Sequence, residues 1–476
     1  MLFNSLVFPV FFVLVFASYW LLPPARIRAR NVLLIAASYV FYGWWDWRFL
    51  FLIIGSSAVD YVVGGRLGDT EDPARRRMLL SVSLAVNLGS LGFFKYFNFF
   101  LDSAVDLLHA VGLQAHAPTL SIILPVGISF YTFQTLSYTV DIYRRRLEPV
   151  RDPWAFFAFV SFFPQLVAGP IERASAFLPQ FLSERRFDEA AARDGLRQIL
   201  WGFFKKVVVA DGLSPYVQRT FDGGAVDGPT AWAGTLCFAL QIYGDFSGYT
   251  DIALGLARLL GFRLMRNFAY PYFSRDIGEF WRRWHISLSS WFRDYVYIPL
   301  GGGRLGRTRR IVNVLITFTV SGLWHGANWT FVTWGFLNGA YYVPQILLGT
   351  GDHDTETVAV GRALPSPREA AALLGTLVLV LAAWVFFRAA SLTHAFQMLG
   401  TMVRGPWTWS SLDAFLPAAG LVAAVLLWEW PRRHDQHGLA IAHWPRPLRW
   451  LTYLGVLTAL LLFGRFGSQE FIYFQF

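Results

Sequence analysis

The sequence predicts an all-α, polytopic membrane protein, and three observations carry that expectation. First, only 15% of its 476 residues are charged while 55% are hydrophobic and 18% aromatic, where a soluble globular chain carries about 25% charged residues. Second, the apolar residues gather in charge-free runs, among them 6–22, 78–94, 120–140, 370–387 and 450–464. Each run approaches the roughly 20 residues a spanning helix needs. Third, basic residues fall in short clusters between these runs. The runs are continuous and do not alternate apolar with polar at period two, so helices rather than a barrel satisfy the backbone inside hydrocarbon.

The elements follow in order. The first run has no basic residue before it and no small-residue cleavage site after it, so it reads as a span and not as a removable signal peptide. The net charge of +10 suggests nucleic acid only until its distribution is read. Arg26/Arg28/Arg30, Arg75/Arg76/Arg77, Arg144/Arg145/Arg146, Arg304/Arg307/Arg309/Arg310 and Arg432/Arg433 sit between apolar runs, the pattern of inward-facing loops. Counting from these clusters places the N-terminus outside and the aromatic tail at 466–476 outside as well. Runs 49–59, 154–167 and 415–428 have the length of re-entrant or interfacial segments, and the total comes to about eleven or twelve spans. Proline and glycine interrupt the middle third at 125–127, 163–165 and 168–170. Broken backbone at membrane depth lines a cavity or packs against neighbours, and a central cavity is expected there. No repeat, low-complexity tract or long linker divides the chain, so one membrane domain covers 1–476. The single cysteine, Cys237, excludes an intrachain disulfide and a multi-cysteine metal site, and it lies in an apolar run as packing.

The candidate chemistry centres on His325. Residues 311–351 contain no Asp, Glu, Lys or Arg, and an ionisable group within such a stretch is a functional candidate because unpaired polar groups in hydrocarbon are costly. Trp324, Gly326, Asn328 and Trp329 flank it. The tryptophans favour a poorly hydrated pocket in which imidazole serves as general base, and the glycine lets a substrate or another backbone come close. The alternative is a structural histidine bonded between helices. A second histidine, His285, lies in an aromatic and basic stretch at 280–295. Read as one helix, that stretch puts Trp281, His285, Leu288 and Phe292 on one face, with Arg282, Arg283 and Arg293 elsewhere, as in an interfacial helix whose cations meet lipid or ligand phosphates. Polar residues at 241–251 and between Ser129 and Asp141 read mostly as interhelical hydrogen bonds. The tail residue Tyr473 reads as an aromatic-belt side chain or as a phenol folded back into the cavity, where it needs an adjacent base before it can attack a thioester.

The stretch 280–303, with Trp284-His285-Ile286-Ser287-Leu288 and Tyr297-Ile298-Pro299-Leu300-Gly301-Gly302, resembles the membrane-bound O-acyltransferase family, in the bacterial branch that acylates cell-envelope polymers. Gly322-Leu323-Trp324-His325-Gly326-Ala327-Asn328-Trp329, residues 162–171, residues 241–251 and the tail also fit, so the likeness runs over nearly the whole length.

The resemblance implies that His325 is the catalytic histidine and His285 its second, more variable polar partner, both lining a central tunnel. It implies an acyl-CoA donor, most simply acetyl-CoA, with no bound cofactor and no metal, and a polysaccharide acceptor such as alginate. Tyr473 resembles an acyl-carrying tyrosine found on a separate peptide in the related D-alanylation system. An external esterase-like partner would complete transfer, since this chain has no Gly-x-Ser-x-Gly elbow of its own. Trp324, Asn328, Trp284, Arg282 and Arg283 are the candidate substrate contacts, with the 304–310 loop as a further phosphate clamp. The expected setting is the bacterial inner membrane among lipids, with both termini external and no nucleic acid bound. Two alternatives stand: a transporter or flippase with a buried histidine, which calls for two related halves and buried carboxylates, and acylation of lipid or protein from a long-chain donor.

Overall fold

The computed structural model describes residues 1–116, 120–224, 226–350, 357–408, 412–466 and 471–472, and no strand occurs among them. The all-helical expectation holds. Among the described residues, four helices are long and apolar enough to cross a membrane, Trp47–Gly68, Pro73–Ala110, Pro367–Arg388 and Leu412–Arg432, and Val7–Leu21 is a shorter apolar one. The remaining segments counted as spans from the sequence are shorter, broken or more polar. Tertiary contacts gather the chain into two compact units, Met1–Ala192 with Ala257–Leu264, and Arg193–Leu256 with Met265–Phe476.

In the first unit, Asp72 caps the helix Pro73–Leu91 by accepting from the Ala74 and Arg75 N–H groups, with proline at the first helical position. A π-helical turn, Gly92–Tyr96, joins it to Phe97–Ala110. The buried polar atoms here are satisfied locally. Asp60 is fully buried and accepts from the Ser83 and Thr139 hydroxyls and from Asn87 Nδ2. Gln134 donates to the Phe159 carbonyl and accepts from Gln165 Nε2 at 2.8 Å, so the interrupted backbone near 160–165 is tied down by packing. Two of the clustered arginines are interior. Arg30 is 1% exposed and donates to the carbonyls of Leu22 and Arg185. Arg76 reaches those of Ile142 and Tyr143.

The second unit carries the candidate site. Glu189–Phe203 continues through a π-helical segment, Phe204–Ala210, into Asp211–Phe221. The long helix Gly228–Leu259 crosses this rod where a β-carbon on Gly202 would come within 2.6 Å of the Gly248 carbonyl oxygen. Two short helices, Ile277–Arg283 and Ile286–Phe292, precede the paired helices Arg307–His325 and Trp329–Leu348. Pro367–Arg388 packs on that pair, opened by a capping box between Ser366 and Glu369. Cys237 is buried, as its apolar run suggested.

Candidate active site

His325 ends the helix Arg307–His325, and Trp329–Leu348 returns against it. A β-carbon on Gly322 would lie 2.2 Å from the Phe331 carbonyl oxygen, and one on Gly335 2.3 Å from that of Phe318. The two backbones therefore touch, as small residues allow where helices cross in a membrane. Asn328 closes the connection by accepting from the Thr330 N–H at 3.0 Å, a helix cap. Asn328, a candidate substrate contact from the sequence, has this capping role in the structure. The space beside Gly326 is filled by the Phe331 ring, 2.2 Å from where a β-carbon would stand, so a side chain and not a substrate makes the close approach there.

The imidazole of His325 is 3% exposed. Its ring centroid lies 4.9 Å from Trp324, 5.0 Å from Trp334 and 5.4 Å from Phe387, all edge-to-face. Trp384 stacks on Trp334 at 5.7 Å and meets Phe387 at 5.2 Å, closing the second layer of this wall. Such a box excludes water, which strengthens electrostatic interactions within it.

His285 faces the same box, with ring centroids 6.4 Å from His325 and 6.0 Å from Trp324. It does not sit on the face of one continuous helix. The stretch 280–295 breaks at His285, whose backbone adopts φ 43° and ψ 55°, the left-handed region that a non-glycine residue occupies only when its surroundings hold it there. Asn267 supplies that hold: its carbonyl accepts from the Ile286 N–H at 2.9 Å, and its side-chain oxygen accepts from the Ser287 hydroxyl at 2.6 Å. The stretch is also not an interfacial anchor, since Trp281, Trp284, His285 and Leu288 are all buried. Trp284 lies between Phe280 and Trp384, at 5.5 and 5.1 Å, as part of the aromatic wall.

A cavity of about 390 Å³ opens beside the pair, lined by Trp281, Arg282, Ser289, Ser290, Arg293, Tyr297 and Arg310 among others. That volume lies in the range of small-molecule sites. Ile286 and Ser321 are also on its wall, next in the chain to His285 and one helical turn before His325. Of the expected cationic contacts, Arg282 and Arg310 border this space. Arg283 does not: its guanidinium is buried against Glu279 at 2.8 Å and donates to the Ala269 carbonyl. Among the described residues, no group of three or more His, Cys, Asp or Glu side chains is spaced to hold a metal ion.

Tyr473 lies outside the described residues, but Phe471 and Ile472 are described. The Phe471 ring meets Phe246 at 5.6 Å and Tyr249 at 5.0 Å, and Phe246 packs edge-on against His285 at 4.6 Å. The Ile472 N–H donates to Asp245 Oδ2 at 2.6 Å. Behind these contacts, Lys206 reaches Asp245 at 2.7 Å and Asp211 at 2.9 Å, while Lys205 reaches Asp251 at 2.7 Å. Lys205, Lys206, Asn267, Trp334, Trp384 and Phe387 were not singled out from the sequence. Two adjacent lysines inside the apolar run 199–210 were the available signal for the first two.

Membrane-spanning helices and a histidine pair boxed by aromatic rings define a polytopic membrane protein with a buried, water-poor site. The profile of MBOAT, the membrane-bound O-acyltransferase family, matches residues 150–351, which include both histidines. The chain is 37% identical to "Probable alginate O-acetylase AlgI" of Pseudomonas putida over the full length of both proteins. It is 35% identical to "Peptidoglycan O-acetyltransferase" of Helicobacter pylori, covering 85% of this chain and 80% of that one. It is 30% identical to "Teichoic acid D-alanyltransferase" of Streptococcus thermophilus, over 46% of this chain and 56% of that one. The chain belongs to the membrane-bound O-acyltransferase family, and membership in a family of acyl-transfer enzymes sets the transporter alternative aside.

Proposed function

We propose that the protein is an O-acetyltransferase of the bacterial inner membrane, with both termini external, that passes acetyl from cytoplasmic acetyl-CoA toward hydroxyls of a cell-envelope polysaccharide such as alginate. The observation that carries this reading is the pair of buried imidazoles, His325 and His285, with ring centroids 6.4 Å apart inside an aromatic box. His325 takes the proton of the incoming hydroxyl, whose oxygen attacks the thioester carbonyl. The carbon–sulfur bond then breaks, and the leaving thiolate takes up the proton as free CoA thiol. Positioned general-base catalysis of this kind contributes about 10² to 10⁴-fold. His285 orients the thioester or meets its developing oxyanion.

The cavity bordered by Arg282, Arg293 and Arg310 fits the phosphate-bearing part of the donor, since guanidinium groups bind phosphate through two parallel hydrogen bonds. The first acceptor in this reading is the Tyr473 phenol, supported by the anchoring of Phe471 and Ile472 beside His285. An external partner with an esterase-like fold then carries the group to the polymer. The names of the relatives support acetyl as the group and an envelope polymer as the acceptor.

The test is transfer of radiolabelled acetyl from acetyl-CoA to the purified protein, comparing wild type with His325→Ala and Tyr473→Phe. Label lost in both variants is the expected result. Label retained by His325→Ala removes the base assigned here, and label retained by Tyr473→Phe removes the tyrosine relay.

A further inference from the structure

We infer that Asp245, braced by Lys206, is a positioning residue that latches the C-terminal tail beside the two histidines. The inference rests on the tail-relay reading above for its consequence in catalysis, but not for the latch itself. Its basis is geometric. Asp245 is 2% exposed on the long helix Gly228–Leu259, and its two carboxylate oxygens are divided between two tasks. Oδ1 meets the Lys206 ammonium at 2.7 Å, and Oδ2 accepts the backbone N–H of Ile472 at 2.6 Å. A bond from an N–H to a carboxylate is charge-assisted and shorter and stronger than a neutral one. It recognises backbone, so it fixes where the tail lies without dictating the side chain at that position.

The lysine is held in turn. Phe204–Ala210 is π-helical, and the extra residue per turn there lets the adjacent Lys205 and Lys206 both point inward, each 4% exposed. Lys206 also keeps Asp211 at 2.9 Å, so the ammonium bridges two carboxylates and its position does not depend on the tail. On the same helix the next residue, Phe246, and Tyr249, one turn on, take the Phe471 ring, and Phe246 also packs against His285. A polar contact to the backbone of residue 472 and an aromatic contact to the side chain of residue 471 thus fix the tail at two adjacent points. Tyr473 is the next residue in the sequence.

The test uses the full chain in detergent and reads the tail directly, by trimming with a carboxypeptidase that also releases proline, followed by mass spectrometry. In the wild type trimming is expected to stop before Ile472 is removed. Asp245→Ala is expected to let trimming pass through residues 472 and 471, and Asp245→Asn, which keeps an acceptor oxygen, to restore part of the protection. Because Asp245→Ala also disturbs the lysine, a second variant acts from the other side. Ile472→Pro removes the N–H donor at the tail and leaves the helices untouched. It is expected to expose the tail equally, and the double variant no further. Loss of a charge-assisted hydrogen bond lowers the ratio of latched to released tail by roughly tenfold to a hundredfold. Acetyl-transfer kcat, taken per folded molecule as measured by circular dichroism, should fall by up to the same factor while KM for acetyl-CoA stays within twofold, and Asp245→Asn should recover part of the rate. Unchanged trimming in both Asp245→Ala and Ile472→Pro overturns the latch. Increased trimming in a background where Tyr473→Phe keeps full activity leaves the latch standing and discards the relay.

Discussion

Replacing Gly322 by alanine should act on His325 from a distance of one helical turn, and the size of the effect can be worked from the crossing of the two helices. The new methyl would lie 2.2 Å from the Phe331 carbonyl oxygen and 3.0 Å from Gly335 Cα, where real β-carbon contacts below 3.0 Å essentially do not occur. The obstruction is backbone, so no side-chain rotation relieves it, and the helices must separate by at least 0.8 Å, the difference between those two distances. His325 is three residues further along the same helix, and a misplacement of about 1 Å in a catalytic constellation costs roughly a hundredfold in rate. The expected result is acetyl-transfer kcat reduced about a hundredfold, with KM for acetyl-CoA little changed and helical content by circular dichroism unaltered. Gly335→Ala, whose methyl would meet the Phe318 carbonyl at 2.3 Å, should behave alike. Gly375→Ala is the control, since nothing lies within 4 Å of a β-carbon there. It should be neutral in rate and slightly stabilising, by up to about 1 kcal/mol. If folded Gly322→Ala turns over within threefold of wild type, either the crossing does not set the position of His325 or His325 is not at the reacting centre.

Three further outcomes follow from other parts of the structure. Arg310→Ala should raise KM for acetyl-CoA about tenfold, the loss of one charge-assisted hydrogen bond, and should barely affect a donor lacking phosphates. An equal effect on both donors would remove Arg310 from phosphate binding. Asp60→Ala deletes the acceptor for Ser83, Asn87 and Thr139. It should lower stability by about 3 kcal/mol at roughly 1 kcal/mol per bond, visible as a lower Tm in detergent, with donor KM unchanged. Asn267→Ala frees the turn after His285 by removing the acceptor of the Ser287 hydroxyl. It should cut kcat at least tenfold while Asn267→Asp, which keeps that oxygen, retains most activity, and equal rates for the two would show that the turn needs no such hold.

The parts of this structure that were legible in the sequence are those decided by composition over a window. Charge-free runs and the clusters between them gave helices and a membrane, and the empty surroundings of His325 singled it out because a lone ionisable group in an apolar stretch is costly without a purpose. The parts that were not legible are decided by contacts distant in sequence. Nothing between Phe280 and Tyr295 announces a break, for the stretch holds neither glycine nor proline. His285 is left-handed because Asn267, eighteen residues upstream, takes the backbone and side-chain donors that follow it. The clusters at 26–30, 75–77 and 432–433 were read as topology signals, yet Arg30, Arg76 and Arg433 are buried and donate to backbone carbonyls. A positive cluster in sequence does not separate the cations that stay in solvent from the one that ties a loop to the body.

The site sets its aromatic walls and its charged groups apart in space. The rings of Trp324, Trp334, Phe387 and His285 stand around the His325 imidazole. The charged groups stand one layer away, on the rod and the long helix that cross at Gly202 and Gly248, where Lys205 and Lys206 meet Asp251, Asp245 and Asp211. A buried ion pair of this kind adds little net stability but is strongly disruptive when one member is removed, which suits a brace whose task is to fix a geometry. In the proposed reaction the aromatic box keeps water from the thioester and the brace fixes the segment that approaches it, and Phe246 is a contact through which the two meet, touching His285 on one side and Phe471 on the other.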